Sequence, residues 1–421
     1  MSSLVQKFVL CLGLMVCVPQ TSGQSIFSVE PEQLGVSAER FERLSDALEN
    51  YVETEQLAGS VTLVLRRGKV VYHEAFGERD KAARDAMQTD AIFRIASQTK
   101  AIVSAAALIL QEEGRLLITD PVADYLPEFA HTTVAVARDD GGYDVVRAKR
   151  QITIRDLLTH TSGFDYGAGV AADQWAGAGI QGYYFSDRDE PIRETVRRMA
   201  SLPASAHPGE QWLYGYSTDI LGAVAEIAAG MPLDELLAAR IFEPLRMVDT
   251  AFYLPRGKRD RLATVYANVD GNLTRAPEAG AAGQGAFVDG PRTSFSGGAG
   301  LLSTAMDYAK FLQMILNGGV LDGVRIMSRK SVELMSVSHI GDLAFRPGQG
   351  FGLGFSVLED VGARGTPGSV GELGWGGAYH STYWIDPREA LVVVHLTQLN
   401  PAGDVDDQRK LRTLVYQAII D

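Results

Sequence analysis

Ser97-Gln98-Thr99-Lys100 is the one place in the chain where a serine stands three residues before a lysine. Residues three apart on a helix share a face, so the hydroxyl and the amine can be hydrogen-bonded neighbours, as an activated serine nucleophile requires. The residues that follow, AIVSAAALIL, are small and apolar, and predict a helix from about Ser97 to Glu113 that stops at Gly114. A serine in its first turn lies near free backbone N–H groups and the positive end of the helix dipole, which favour developing negative charge. Burial of Lys100 on this helix is expected to disfavour its charged form and make it a better proton acceptor. An N-cap serine followed by a surface lysine would spell the same four letters, so the motif alone leaves both readings open.

Other chemistries find less support. No G-x-S-x-G elbow is complete: Gly215-Tyr216-Ser217-Thr218-Asp219 fails at its last position, and the stretch around Ser356 fails likewise. The histidines at 73, 131, 160, 207, 339, 380 and 395 include no pair at H-x-x-x-H spacing, so a helical zinc site is not expected, and no cofactor is required. His160 and Ser162 fall in a turn, HTSGF, and read as structural rather than as parts of a triad.

The elements around the motif follow from periodicity and punctuation. Ala38 to Glu53 has helical spacing, with Ser37 as N-cap. Ser60 to Phe76 reads as two strands joined through Arg67-Gly68-Lys69. Ser303 is expected to cap a helix through Leu316. Strand-like runs follow at Phe351–Leu358, Thr382–Ile385 and Leu391–Leu396, then a terminal helix from about Val405. Strands at both ends with helices between predict an α/β fold of the α+β type, with one sheet built from 24–96 and 290–421. A mostly helical region, 97–289, is inserted into it, with surface insertions at 137–150 and 166–190. The second insertion carries Tyr166, Trp175, Tyr183, Tyr184 and Phe185, which suit either a pocket wall or a loop packing its own rings.

The 421 residues are 46% hydrophobic and 22% charged, ordinary globular values, and the formal charge of −13 argues against a nucleic-acid partner. Lys7 is the only charge before Glu30, and the apolar run Phe8–Val18 is too short to span a bilayer. Residues 1–23 read as a signal peptide cleaved near Gly23, giving an exported, periplasmic or secreted chain; a buried N-terminal helix is the alternative. Cys11 and Cys17 both lie inside that segment, so the mature chain would have no thiol for a disulfide, a nucleophile or a metal site. No later apolar run approaches the ~18 residues of a membrane span.

Three further stretches complete a pattern: RDLLTHTSGF (Arg155–Phe164), PGEQWLYGYSTDILG (Pro208–Gly222) and LGWGGAYHSTYWIDP (Leu373–Pro387). With SQTK, in this order, the chain resembles the serine β-lactamase and penicillin-binding superfamily from about Leu34 onward. Within it, the chain is similar to the class C β-lactamase-like family VIII carboxylesterases. The resemblance implies an antiparallel sheet flanked by helices, with Ser97 as the acylated serine and Lys100 as its motif partner. Tyr214 stands where the family places the tyrosine that acts with the lysine as general base. Trp375, Gly376 and Gly377 occupy the third motif, on a strand bordering the site. The backbone N–H groups of Ser97 and Ala378 would form the oxyanion hole. Tyr166 and Asp219 match positions near the pocket in related esterases.

Two departures bear on the substrate. Class C β-lactamases have Tyr-x-Asn where this chain has Tyr214-Gly215-Tyr216, and Lys-Thr-Gly where it has Trp375-Gly376-Gly377. Both changes remove polar groups that orient a β-lactam amide and carboxylate and install aromatic surface at Tyr216 and Trp375, which are expected to bind substrate, so a neutral, short-chain ester is the expected substrate. Weak β-lactam hydrolysis would be a side reaction. The alternatives are a β-lactamase or D-Ala-D-Ala peptidase, and a non-catalytic penicillin-binding or sensor module.

Overall fold

The computed structural model describes residues 26–280 and 282–421, so the expected signal peptide lies outside the described residues. These residues form an eight-stranded sheet from β1 (Gly59–Arg66), β2 (Lys69–Asp80), β3 (Asp85–Ala86), β4 (Gln349–Phe351), β5 (Ser356–Leu358), β6 (Leu373–Gly377), β7 (Ser381–Asp386) and β8 (Leu391–Thr397). The spatial order is β4-β5-β6-β7-β8-β1-β2-β3, and every pairing is antiparallel. The early and late parts of the chain meet where β1 pairs β8, with Leu63 opposite Val394. The β1–β2 hairpin turns through Arg67 and Gly68 at φ 51° and 74°, the left-handed pair that matches strand twist.

Helices cover both faces, which is why β1 and β8 are buried along their whole length and read as near-continuous apolar runs. Five helices frame the sheet: α1 (Ala38–Glu53), α2 (Thr99–Glu112), α3 (Ser217–Ala229), α4 (Ala305–Leu316) and α5 (Asp407–Tyr416). On one face Val64, Trp384 and Val393 pack against Phe41, Leu44 and Leu48 of α1 and Leu411 and Val415 of α5. On the other, Leu63, Tyr383, Val392 and Val394 join a larger core shared with α2, α3 and α4. α2 is buried from Thr99 to Leu110, and its many alanines let it sit close among its neighbours. A helix enclosed on all sides reads as apolar all round, and any lysine on it is trapped with it.

Segment 97–289 carries several short helices and two small hairpins, Thr133–Ala137 with Tyr143–Arg147 and Tyr266–Val269 with Asn272–Arg275. The first hairpin occupies much of the expected 137–150 insertion. Three local expectations are corrected. Thr304, not Ser303, caps α4: its backbone is extended and its hydroxyl accepts from the Asp307 N–H at 3.1 Å, while Ser303 pairs with Phe93 in a short strand. The Phe351–Leu358 run is not one strand but the β4–β5 hairpin, turning at Gly354 with φ 94°. Leu353 and Phe355 are fully buried within that turn, so the apolar run reflects burial rather than strand. Ser97 lies in a 3₁₀ turn, Ala96–Gln98, that leads into α2.

Candidate active site

The turn that presents Ser97 is held in an unusual conformation. Ala96 has φ 42°, a left-handed value that costs a residue with a side chain about 1–3 kcal/mol, and places Ser97 at a sharp bend on the cleft floor. Lys100, one helical turn on, is 2% exposed. Its ammonium lies 2.7 Å from the Gly298 carbonyl, 2.9 Å from the Tyr166 hydroxyl and 3.3 Å from Ser97 Oγ. Three donors meet three acceptors, so the cation is fully coordinated.

This arrangement outweighs the expected effect of burial, which was to disfavour the charged form of Lys100. Desolvation, the largest single influence, does push its pKa down. Attraction to the Tyr166 and Tyr214 oxygens, the Tyr166 hydrogen bond and the nearby Asp219 together outweigh it, and the net shift is upward. The ammonium is the resting form.

Tyr214 stands beside that charge: Lys100 Nζ is 4.5 Å from the centre of its ring. Its hydroxyl oxygen accepts from Trp375 Nε1 at 2.9 Å, which ties the second motif to the third. Gly215 explains why the two aromatic residues flank a glycine. A Cβ there would come within 2.3 Å of the Asp165 backbone, so the Tyr214 turn can lie on the segment that follows HTSGF only without a side chain. Gly377 does the same for β6, since its Cβ would come within 2.6 Å of the Ile95 carbonyl. That close approach brings Ala378 to the Ser97 turn, and both residues line one cleft.

The cleft has a volume of about 750 Å³ and is walled by Tyr166, Tyr183, Trp212, Tyr214 and Trp375. Of the aromatic residues in 166–190, Tyr166 and Tyr183 face it, whereas Trp175 and Phe185 belong to the core. Both readings of that insertion therefore hold, for different residues. Tyr216 and Asp219 do not touch the cleft, contrary to expectation. Tyr216 is fully buried, stacked on Trp175 with ring centres 5.4 Å apart. Asp219 accepts from Ser296 Oγ at 2.6 Å and from the Gly298 N–H at 3.0 Å, thereby fixing the residue whose carbonyl holds Lys100. Gly376 lies on β6 where a Cβ would come within 2.7 Å of the Ser381 carbonyl.

His160 is buried under Tyr214, ring centres 4.7 Å apart, with φ 56°. Burial and the Lys100 charge hold its pKa well below the usual 6.5, so it is neutral, and it makes no hydrogen bond to Ser97. Two residues that shape the site are not legible in the sequence. Gly298 acts through its carbonyl, which no side-chain pattern reveals. Arg346 lines the cleft with its guanidinium 4.5 Å from the centre of the Trp375 ring, a contact between segments 29 positions apart with no shared motif. Among the described residues no group of three His, Cys, Asp or Glu side chains is placed to hold a metal ion. Among the same residues no helix is long and apolar enough to cross a membrane.

A Beta-lactamase family profile matches residues 44–417. The chain belongs to the Beta-lactamase family. Among its relatives, Esterase EstB of Burkholderia gladioli is 35% identical over 84% of this chain and 89% of its own. Lovastatin esterase of Penicillium rubens is 31% identical over 82% and 90%. A solved structure described as EstCE1, a hydrolase with promiscuous acyltransferase activity, superposes with a TM-score of 0.77 at 29% identity, over 90% of this chain and 98% of that one.

Proposed function

We propose that this family member is a serine carboxylesterase that cleaves short-chain esters through an acyl-enzyme on Ser97. The observation that carries the reading is the contact of Lys100 with Ser97 Oγ at 3.3 Å beside Tyr214, in a cleft walled by aromatic rings. The esterase relatives support it.

In this reading Tyr214 reacts as the phenolate beside the Lys100 ammonium, and the Ser97 oxygen attacks the ester carbonyl carbon while its proton passes to the phenolate oxygen. The tetrahedral oxyanion is met by the N–H groups of Ser97 and Ala378, each such donor typically contributing about 3–4 kcal/mol. The C–O bond to the alcohol breaks, the alcohol leaves with the proton from Tyr214, and Ser97 keeps the acyl group. Water then gives a proton to the same oxygen, attacks the acyl carbon and releases the acid, returning the proton to Ser97. Lys100 stays cationic throughout, and its role is electrostatic and positional. Tyr166 shares its ammonium and closes one side of the cleft.

Hydrolysis of p-nitrophenyl butyrate by the wild type and by Ser97→Ala tests the reading, with a chromogenic cephalosporin run alongside. The expected result is ester turnover well above cephalosporin turnover and a loss of about 10⁴-fold or more in the variant. Faster cephalosporin turnover would favour a β-lactamase, and undiminished ester turnover in the variant would remove Ser97 from the mechanism.

A further inference from the structure

Charged side chains on the cleft wall are unevenly matched. Arg364 and Arg412 both bind Glu372, at 2.8 and 2.7 Å, and this buried carboxylate also accepts from Tyr416 at 3.0 Å. Glu372 is thereby fully used. Arg346 has no carboxylate or hydrogen-bond acceptor for its guanidinium among the described residues; only the rings of Trp375, at 4.5 Å, and Phe345, at 5.5 Å, lie against it.

An unpaired arginine on a solvated surface is ordinary, but this one differs in three respects. Although the residue is exposed, the rings of Trp375 and Phe345 cover part of its guanidinium. Its stacking partner Trp375 donates to the Tyr214 hydroxyl, so the cation is one ring removed from the reacting groups. It also faces a cleft in a chain with a net charge of −13, where acidic partners are plentiful elsewhere. Stacking on an aromatic face leaves the edge N–H donors of a guanidinium free, the geometry that suits a bidentate carboxylate.

We propose that Arg346 makes the cleft selective for esters that carry a free carboxylate, such as hemi-esters of short dicarboxylic acids. This rests on the esterase reading and replaces the expectation of a wholly neutral substrate. Trp375 stands where the β-lactamase Lys-Thr-Gly motif has its lysine, and the Arg346 guanidinium over that ring supplies a cation there instead.

Two matched pairs of esters test it. Mono-p-nitrophenyl glutarate against p-nitrophenyl valerate places the carboxylate on the acyl side; 4-carboxyphenyl butyrate against phenyl butyrate places it on the alcohol side. For at least one pair, the ratio of kcat/KM, anionic over neutral, should fall roughly tenfold in Arg346→Gln. The wild-type ratio should also decline as salt rises from low to physiological strength. Ratios unchanged in both pairs would overturn the proposal, as would a variant in which both members fall equally, which would make Arg346 a prop for Trp375. Binding of glutarate to Ser97→Ala, followed by tryptophan fluorescence, needs no turnover. It should weaken roughly fivefold or more when Arg346→Gln is added, and equal binding would count against the proposal. Failure of the esterase reading appears separately, as turnover that survives Ser97→Ala.

Discussion

The two sides of the cleft are built on different principles. The Ser97 side rests on buried, regular structure: α2 is enclosed along its length, Lys100 has all three donors engaged, and Asp219 on α3 holds Gly298 from behind. The Trp375 side is an array of rings from loops and the edge of the sheet. Trp212 packs on Phe345 at 4.7 Å and on Phe351 at 5.5 Å, and Trp375 meets Tyr214 at 5.2 Å. Polar contacts in a buried setting specify one geometry, because every unmet partner is costly. Ring contacts are broad and tolerate repacking. In the proposed reading, the chemistry is therefore fixed on one side, while recognition can be altered on the other.

Substitutions on each side should separate in kinetics. Lys100→Met removes the cation on the rigid side; kcat should drop about 10³-fold for every ester tried, whatever its acyl group. A loss confined to some esters would dissolve the division between the sides. Asp219→Asn keeps the side chain's size but discards the charge that supports Lys100 through Gly298. A fall in kcat of about tenfold with little change in KM is expected, the scale of one charge-assisted hydrogen bond. Phe345→Ala removes the ring packed against Trp212 on the other side, loosening that wall, and should raise KM for longer acyl chains about fivefold while leaving acetate esters less affected. Equal effects on all chain lengths would mean that this wall does not read the acyl group.

The smallest effect concerns stability. His160 lies beneath Tyr214 with a folded-state pKa well below 6.5, because burial and Lys100 oppose its protonation. Above pH 6.5 it is neutral in both states and contributes no pH dependence. Below 6.5 the unfolded chain takes up a proton that the folded one refuses, so stability falls with pH, by up to about 1.4 kcal/mol per unit, until the folded pKa is reached. Denaturant melts of the wild type and His160→Asn between pH 7 and 5 should show a shallower slope in the variant, since asparagine tolerates the left-handed backbone. Parallel slopes would show that His160 titrates normally.

Much of this architecture is legible in the sequence where local rules act alone. The Ser37 cap of α1, the Arg67-Gly68 turn and the spacing of Ser97 and Lys100 depend on neighbours within a few residues. Ser303 and Thr304 are both competent caps, and only the extended backbone at 304 decides between them. The Gly352–Phe355 turn is masked by burial, because Leu353 and Phe355 are as enclosed as any strand residue. At the site, the proximity of Ser97 and Lys100 is readable from their spacing, but their electrostatics are not. The charge on Lys100 depends on Tyr166, Gly298 and Asp219, which lie 66, 198 and 119 positions away in the chain. Tyr216 and Asp219 were misplaced for a related reason: spacing sets which motif a residue belongs to, and packing sets whether it faces the cleft.

Rapid quenching of the protein with p-nitrophenyl butyrate, followed by peptide mass analysis, addresses the nucleophile itself. The account predicts a butyryl adduct on the peptide containing Ser97, formed within the first turnover and lost as acid is released. An adduct on another residue, or steady turnover of Ser97→Ala with no covalent species, would contradict it.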